Sequence, residues 1–308
     1  MKSKLIDRLE NCECCPWKCG VNRLEKETGV CGISSDIVVS HSGLHFGEEP
    51  PISGSNGSGT IFFAGCNLRC VFCQNFQISQ EFIGSDYKIF SKEELSDEMI
   101  RLQDSGAHNI NFVSPSHMIC RIADSIIFAK NRGLNIPIVY NTNGYDSVEV
   151  LKEIDGLIDI YLPDLKYMKN DPAKKYSRAD NYVEVATSSV KEMYRQVGNL
   201  ETDENGIAIS GILVRHLVLP GSVDNSKAVM EFLAGLSGEM FISVMSQYSP
   251  CYKADNYPEI SRVINTSEYD EIVGFAVKLG LKNLFLQELE SQSEYIPDFS
   301  QESPFKNR

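Results

Sequence analysis

The stretch "TIFFAGCNLRCVFCQN", residues 60–75, joins a short apolar run to three cysteines that lie within eight residues. A short apolar run bounded by a glycine is typical of a buried strand. The cysteines, Cys66, Cys70 and Cys73, have the spacing Cys-x3-Cys-x2-Cys. A closed tetrahedral metal site needs four ligands, whereas a four-iron, four-sulfur cluster that only carries electrons takes one thiolate per iron. Three thiolates therefore predict a cluster with one iron left open for another ligand.

Strand-like and helix-like segments alternate after this stretch. The helical segment 91–106 begins with Ser91 and Glu94 at the spacing of a capping box and ends at Gly106. The further predicted strands are "NINFV", "IPIVYN", "LIDIYLPDLK", "GILVRHLVLPG", "MFISVMSQY" and "NLFLQE". Regular βα alternation predicts an α/β protein with a parallel sheet. The six or seven units are fewer than the eight of a closed barrel, so we predict a partial (β/α)6 TIM-like barrel with its active site at the carboxyl ends of the strands.

Three parts of the chain differ in composition. Residues 1–55 are rich in cysteine and turn formers, and we predict a small metal-binding appendage there. The Gly/Ser stretch "GSNGSG", residues 54–59, is interpreted as a plain linker, because it lacks the lysine of a phosphate-binding loop. Residues 56–290 would form the barrel, and residues 291–308 a polar tail.

Charge and hydropathy exclude several classes of protein. The chain has 308 residues, a net charge of −13 and 42% hydrophobic residues, which suits a globular protein and argues against nucleic-acid binding. No apolar run is long enough for a membrane span, and residues 1–10 lack the apolar segment of a signal peptide. We therefore expect a cytoplasmic protein whose ten cysteines are thiols or metal ligands rather than disulfides.

The cysteine loop, with the aromatic Phe72 before its last cysteine, resembles that of the radical S-adenosylmethionine superfamily. This resemblance implies an anaerobic oxidoreductase in which a 4Fe-4S cluster and S-adenosylmethionine together yield a 5′-deoxyadenosyl radical. Three further segments resemble the branch of pyruvate formate-lyase activating enzyme, in particular its relatives with a Cys-rich amino terminus: "NTNG" (residues 141–144), "PDLK" (163–166) and "VRHLVLPG" (214–221).

The resemblance also nominates site residues. Cys66, Cys70 and Cys73 would hold the cluster, and Lys166 and Arg215 would lie close to S-adenosylmethionine. The cofactor-binding candidates are Phe72, Asn75, Ser114, Ser116, Asn141, Thr142, Asn143, Asp164, Lys166 and Arg215.

The sequence differs from the pattern of the activating enzymes at three places. "VSPSH", residues 113–117, replaces the Gly-Gly-Glu-Pro motif that normally receives the methionine amine, so Ser114, Ser116 and nearby carbonyl groups would have to do so. Asn141 replaces an aspartate of the family's cation site, which removes a negative charge. "MSQYSP", residues 245–250, lacks the family's histidine.

Each nominated residue has a structural alternative. Asp164 and Lys166 would otherwise form an exposed ion pair at a strand end. Arg215 and His216 alternate within one strand, so we expect Arg215 to face the site and His216 to be a core or rim histidine. His117 suits either a proton or hydrogen-bonding role at the site or a capping role at the surface. Cys120 and Cys251 are interpreted as packing residues.

The amino-terminal cysteines form a second group. Cys12, Cys15, Cys19 and Cys31 could bind zinc or seat a second cluster, with Cys14 left over. Spacing alone does not decide between these occupants or unmetallated thiols.

Two functions are consistent with these patterns. The first is an enzyme that abstracts a hydrogen atom from a substrate, such as a glycyl residue of a partner glycyl radical enzyme, and that takes electrons from a reductant such as flavodoxin or ferredoxin. The second is a non-catalytic zinc or iron-sulfur module that serves as a protein-interaction scaffold.

Overall fold

A computed structural model of the chain describes residues 5–82, 87–289, 296–301 and 303–305. Its strands are β1 (Ile37–His45), β2 (Ser58–Phe63), β3 (Lys88–Phe90), β4 (Ile110–Val113), β5 (Ile138–Thr142), β6 (Ile160–Pro163), β7 (Glu201–Thr202), β8 (Ala208–Leu217), β9 (Phe241–Met245) and β10 (Asn283–Leu286). Its α-helices are α1 (Pro50–Ser53), α2 (Lys92–Asp104), α3 (Ile119–Lys130), α4 (Val148–Glu153), α5 (Asn170–Ser177), α6 (Tyr182–Val197), α7 (Val223–Leu236) and α8 (Thr266–Lys278).

Seven strands of the sheet run parallel, in the order β10-β9-β8-β6-β5-β4-β2. Helices α2 to α8 connect them, so six helical crossovers link the seven strands. The predicted α/β partial barrel is confirmed. The capping box at Ser91 and Glu94 starts α2 as the sequence predicted. Within the described residues, no helix is both long enough and apolar enough to span a membrane.

The main core lies between the sheet and the helices. Alternate strand residues point outward to it, for example Phe112, Tyr140 and Val214, and all three are buried. The intervening residues point into the barrel, where the side-chain period of two places Asn111, Asn141 and Arg215. The same alternation therefore separates an apolar outer face from a partly polar inner one.

Helix α1 closes the bottom of the barrel. Its Ile52 is completely buried and packs in a small inner cluster with Val139, Leu162 and Leu213 of β5, β6 and β8. Two prolines begin this short helix, which suits its first turn because proline there loses no intrahelical hydrogen bond. A four-residue helix is not stable alone, so this burial holds it.

The sheet extends across the predicted boundary at residue 55. β1 pairs antiparallel with β2 and with β3, and β1 belongs to the first 55 residues. The predicted linker is wrong in its second half, because Ser58 and Gly59 are buried in β2. A side chain at Gly59 would place its Cβ 2.9 Å from the carbonyl oxygen of Asn109, so glycine serves here for close packing rather than for flexibility. The division into appendage, barrel and tail stays a prediction.

Part of the predicted polar tail packs on the inner face of β2, opposite to the face that Ile61 and Phe63 turn to the main core. Phe299 and Phe305 contact Phe62, with ring centroids 5.5 and 5.3 Å from its ring. Residues 291–295, 302 and 306–308 of that tail lie outside the described residues.

We predict that Ile52→Ala destabilises the protein by about 3 kcal/mol, because it leaves a cavity among inner-face residues that cannot collapse. Ile127, whose exposed fraction is 48%, is the control, and Ile127→Ala should change the free energy of unfolding by less than about 0.5 kcal/mol. Urea denaturation followed by circular dichroism measures both. Equal effects of the two substitutions would contradict the role given to α1.

Candidate active site

A cavity of about 930 Å³ opens at the carboxyl ends of the parallel strands. Of the predicted site residues, the following line it: Cys66, Cys70, Phe72, Cys73, Asn75, Ser114, Asn141, Thr142, Asn143, Asp164, Lys166 and Arg215. These residues come from the ends of four different strands and from the cysteine loop. Their convergence matches the position that the barrel topology predicts for a site.

The three loop cysteines each have a polar neighbour. The amide of Leu68 and the Asn143 side-chain amide donate to Cys66 Sγ, both at 3.4 Å. Cys70 Sγ lies 3.1 Å from Ser177 Oγ, and Cys73 Sγ lies 3.2 Å from Ser79 Oγ. Such donors stabilise sulfur in its negatively charged form.

Burial raises the pKa of all three thiols. It raises the pKa of Cys66 to about 11 and that of Cys73 to about 12, in both cases aided by the neighbouring Cys70. For Cys70, burial again dominates, while the Lys166 ammonium opposes it. Without a metal these side chains are therefore neutral thiols, and the positive charge of bound iron would be needed to hold three thiolates so close together.

Two other parts of the chain form hydrogen bonds with the cysteine loop. The amides of Arg69 and Val71 donate to the carbonyl oxygens of Ser177 and Tyr176, at the end of α5. The Trp17 indole donates to the carbonyl oxygen of Asn67 at 2.5 Å, and the Arg69 guanidinium donates to the carbonyl oxygen of Val30. The Cys-rich amino terminus thus packs directly against the loop.

The segment "NTNG" forms the wall beside Cys66. The side-chain amide of Asn143 also donates to Asn67 Oδ1 at 2.7 Å, which ties this wall to the cysteine loop. Thr142 Oγ1 donates to buried Asp146 at 2.6 Å. Gly144 has a φ of +81°, and a Cβ there would lie 2.3 Å from the carbonyl oxygen of Asp164, so only glycine fits this turn.

Arg215 lies at the centre of a buried charge network. Its guanidinium donates to Asp164 Oδ1 at 2.9 Å, to Asn141 Oδ1 at 2.5 Å and to Glu48 Oε2 at 3.1 Å. Lys166 Nζ donates to the other oxygen of Asp164 at 2.5 Å. The exposed ion pair considered for Asp164 and Lys166 is wrong, since their side chains are only 14% and 13% exposed.

The cations of this network keep the carboxyl group of Asp164 in its charged form. Burial pushes the pKa of Asp164 upward, but Arg215 and then Lys166 outweigh it, so the pKa is lowered. Arg215 itself stays protonated, because the carboxylates around it oppose the effect of burial and raise its pKa. Asn141 and Asp164, which the resemblance places at a cation site, here share the guanidinium of Arg215.

Comparison with known proteins shows the family to which this chain belongs. The model of the radical SAM superfamily matches residues 60–233, more than half of the chain. The chain belongs to the radical SAM superfamily. It is also 31% identical over 284 residues to the uncharacterized protein MJ0674 of Methanocaldococcus jannaschii, covering 90% of this chain and 77% of that protein.

A solved structure with a TM-score above 0.5 shares the fold. The FeFe-hydrogenase maturase HydG from Carboxydothermus hydrogenoformans has a TM-score of 0.51 at 14% identity, covering 72% of this chain and 50% of that chain. A domain of pyruvate-formate lyase-activating enzyme from Bacteroides vulgatus has a TM-score of 0.39 at 16% identity, covering 54% of this chain and 89% of that chain. The second score is too low to argue for a branch of the superfamily.

The residues of the loop fit the cluster of this radical SAM protein. Only three cysteines of the described chain line the cavity, so one iron of a four-iron cluster would have no protein thiolate. A lone tetrahedral zinc ion would need a fourth ligand, so a loop of three cysteines suits a cluster with one open iron better.

Glu48 is a site residue that the sequence analysis missed. Its carboxylate accepts hydrogen bonds from the side-chain amides of Asn111 and Asn141, both at 3.1 Å, in addition to that from Arg215. No spacing rule marks Glu48 in the sequence. The pair of prolines after "EE" was the available signal, because it predicts a helix start that fixes the preceding residues.

One predicted residue, Ser116, lies away from the cavity wall. Ser116 is buried behind Thr142, with its Oγ 3.1 Å from Thr142 Oγ1, because the chain turns at Ser114, where φ is +56°. It cannot receive a methionine amine in this position. Ser114 itself lines the cavity.

The two candidate histidines are both core residues. His117 is buried with Nε2 at 2.8 Å from the carbonyl oxygen of Ala64, so the surface capping role is wrong. Burial lowers its pKa to about 3, and it is neutral. His216 lies between the carbonyl oxygen of Leu165 and Ser226 Oγ, at 2.7 and 2.8 Å. The core interpretation of His216 is confirmed, as is the choice of Arg215 as the residue facing the cavity.

The amino-terminal cysteines lie close together in the structure. Burial raises the pKa of the Cys15 thiol, and the proximity of Cys31, Cys12 and Cys19 adds to this effect. Cys14 instead contacts Cys120, with the sulfur atoms 2.6 Å apart. Cys14 also lies within hydrogen-bonding distance of Cys12, so the choice of Cys12, Cys15, Cys19 and Cys31 as the ligand set stays a prediction.

We predict that Asp164→Asn costs about 3 kcal/mol of stability, because it leaves two buried cations without their shared carboxylate. The control is Asp180→Asn, which removes an ion pair with Lys174 whose side chains are both 66% exposed and should cost no more than about 0.5 kcal/mol. Chemical denaturation of both variants gives the comparison. Similar losses in the two variants would show that the network does not stabilise the fold.

Proposed function

We propose that this protein reductively cleaves S-adenosylmethionine and uses the resulting 5′-deoxyadenosyl radical to abstract a hydrogen atom from a polypeptide substrate. The observation that carries the proposal is the buried loop of three cysteines at the edge of a large cavity that no fourth cysteine of the described chain lines. When bound, the cluster would supply the electron that breaks the sulfonium bond.

The residues of the cavity have distinct roles in this proposal. Cys66, Cys70 and Cys73 hold the cluster, and Asn143 orients Cys66 through its hydrogen bond. Phe72 packs edge-on against Tyr248, with centroids 5.7 Å apart, and would lie against the adenine. Lys166 places a positive charge beside Cys70, which favours a negatively charged cofactor state.

The site is held rigid by groups that do not react. Arg215, Asp164 and Asn141 join the ends of three strands, so the wall that faces the cofactor keeps its shape. A fixed wall of this kind orients bound groups and excludes water, which protects a reactive radical.

The size of the cavity supports a substrate beyond the cofactor. Its volume of about 930 Å³ is at the upper end of the roughly 300–1,000 Å³ of ordinary ligand pockets. A polypeptide loop is the substrate that we favour, and a glycyl residue of a partner enzyme is the leading candidate because of the resemblance to the activating enzymes. A flavodoxin or ferredoxin in the cytoplasm would be the reductant.

We predict that oxygen-free, cluster-reconstituted protein forms 5′-deoxyadenosine from S-adenosylmethionine after reduction with dithionite. Cys70→Ala should reduce the product, measured by liquid chromatography, to background, because it removes a cluster thiolate. Cys120→Ala, which removes a buried cysteine outside the loop, should retain activity.

The same assay separates the enzyme from a metal-binding scaffold. A colourless, zinc-loaded protein that releases no nucleoside after reconstitution would refute the enzymatic function. Activity that survives in Cys70→Ala would refute the assignment of the cluster ligands.

We also propose that Cys12, Cys15, Cys19 and Cys31 bind a second metal, either zinc or a further cluster. Their mutual proximity and their number support it. Since this segment packs on the cysteine loop through Trp17, metal there would stiffen the support of the active site.

Metal analysis by mass spectrometry tests this second site. We expect about four iron atoms for the first cluster and, in addition, about one zinc or about four further iron atoms. Cys15→Ser combined with Cys31→Ser should remove only the additional metal, while Cys14→Ala, in the same segment, should keep it. Loss of metal in Cys14→Ala alone would show that the ligand set is wrong.

A further inference from the structure

Besides Glu288, the lining of the cavity carries three carboxyl groups near its inner end but only two lysine or arginine side chains. Glu48, Glu49 and Asp164 line it together with Lys166 and Arg215, and no other lysine or arginine of the described residues does so. Three carboxylates thus face two cations in a region where every one of these side chains is largely buried. Buried charge is costly unless it is paired.

Of these three carboxylates, Glu49 alone forms no ion pair with a lysine or arginine of the described residues, while the Ser243 side chain forms a hydrogen bond to it. Arg215 contacts Glu48 and Asp164, and Lys166 contacts Asp164. Glu49 is 9% exposed, and its Oε2 is buried with no hydrogen-bond partner. An unpaired oxygen of this kind is destabilising in the empty protein, which makes it a candidate contact for a ligand.

When Glu49 is ionised, the orphaned atoms nearby are both acceptors. Asn111, whose amide donates to Glu48, also leaves its Oδ1 buried and without a partner. A ligand that satisfies such atoms must donate hydrogen bonds. Burial raises the pKa of Glu49, and Arg215 opposes this effect, so an incoming cation would find a carboxyl group that gains from being charged beside it.

Beyond Ser243 and Arg215, part of the cavity wall that leads to Glu49 is apolar. Leu217, Met245 and Phe285 line the same cavity, and Phe285 packs on the inner cluster of Ile52 beneath it. A group that reaches Glu49 along this wall therefore needs a hydrocarbon stem and a positively charged end. Among the side chains of a polypeptide, lysine combines these two properties with a compact charge that carries three donors.

We propose that Glu49, with Glu48 beside it, binds the ammonium group of a lysine side chain in the substrate. This rests on the proposed function and narrows its substrate class to a polypeptide with a lysine near the reacting residue. Glu49 would be a binding residue that sets the register of the substrate rather than a group that takes part in the radical step.

The test is calorimetric binding to the reconstituted, S-adenosylmethionine-loaded full chain without oxygen. The probes are N-acetyl-lysine-N-methylamide, its neutral norleucine analogue, and n-pentylammonium as a free amine. We expect the lysine probe to bind at least about ten-fold more tightly than the norleucine probe, and this preference to be lost in Glu49→Gln. Glu49→Asp should retain part of it, and Glu239→Gln, an exposed glutamate outside the cavity, should retain all of it.

Several results would overturn this inference. Equal binding of the lysine and norleucine probes, or an unchanged preference in Glu49→Gln, would do so. Tighter binding of n-pentylammonium than of the lysine probe would exclude a polypeptide source. A Glu49→Gln chain that loses affinity for S-adenosylmethionine as well would place Glu49 in the cofactor site instead.

Failure of the proposed function is detected separately. Wild-type protein that forms no 5′-deoxyadenosine refutes the enzymatic function, whatever the probes do. Wild-type protein that forms it but shows no lysine preference refutes only the role of Glu49.

Discussion

The guanidinium of Arg215 joins parts of the chain that are far apart in sequence. It contacts Asn141 at the end of β5, Asp164 after β6 and Glu48 before α1. Removing one member of a buried ion pair destabilises a protein far more than the loss of an exposed ion pair does. The interaction therefore fixes the spacing of the strand ends and the position of the inner helix together, and the cavity exists because both are fixed.

The amino-terminal segment supports the site from the opposite side. Gly65 has a φ of +76°, and a Cβ there would lie 2.6 Å from the carbonyl oxygen of Cys31, so the cysteine loop and this segment are in close backbone contact. Arg23 is buried and donates to the carbonyl oxygen of His117 at 2.7 Å, which links the segment to α3 as well. The cysteine loop is thus fixed between the barrel and a part of the chain that composition alone describes as an appendage.

Local patterns predicted the elements but not their long-range contacts. The alternation of apolar strands and helices gave the partial barrel, and period-two alternation placed Arg215 inside and His216 outside. Those inferences need only neighbouring residues. Glu48 was missed because its role depends on Asn111, Asn141 and Arg215, which are distant in sequence and meet only in the fold.

The prediction of a linker at residues 54–59 is wrong in its second half for a related reason. Glycine is common both in flexible segments and where two backbones approach closely, and composition does not distinguish these uses. The approach of Gly59 to Asn109 belongs to the pairing of β2 with β4, which is a tertiary contact. The position of Ser116 was also unpredictable from local sequence, because the left-handed turn at Ser114 that directs it away from the cavity has no local sequence signal.

The cysteine loop also spans the gap that a partial barrel leaves open. β2 and β9 are far apart in the order of the sheet, yet the loop after β2 contacts the segment after β9. The amide of Lys253 donates to the carbonyl oxygen of Val71 at 2.8 Å, and Phe76 stacks on Tyr252 with centroids 5.1 Å apart. One loop therefore both carries the three cysteines and contacts the far edge of the barrel, so the same segment shapes the cysteine site and the cavity wall.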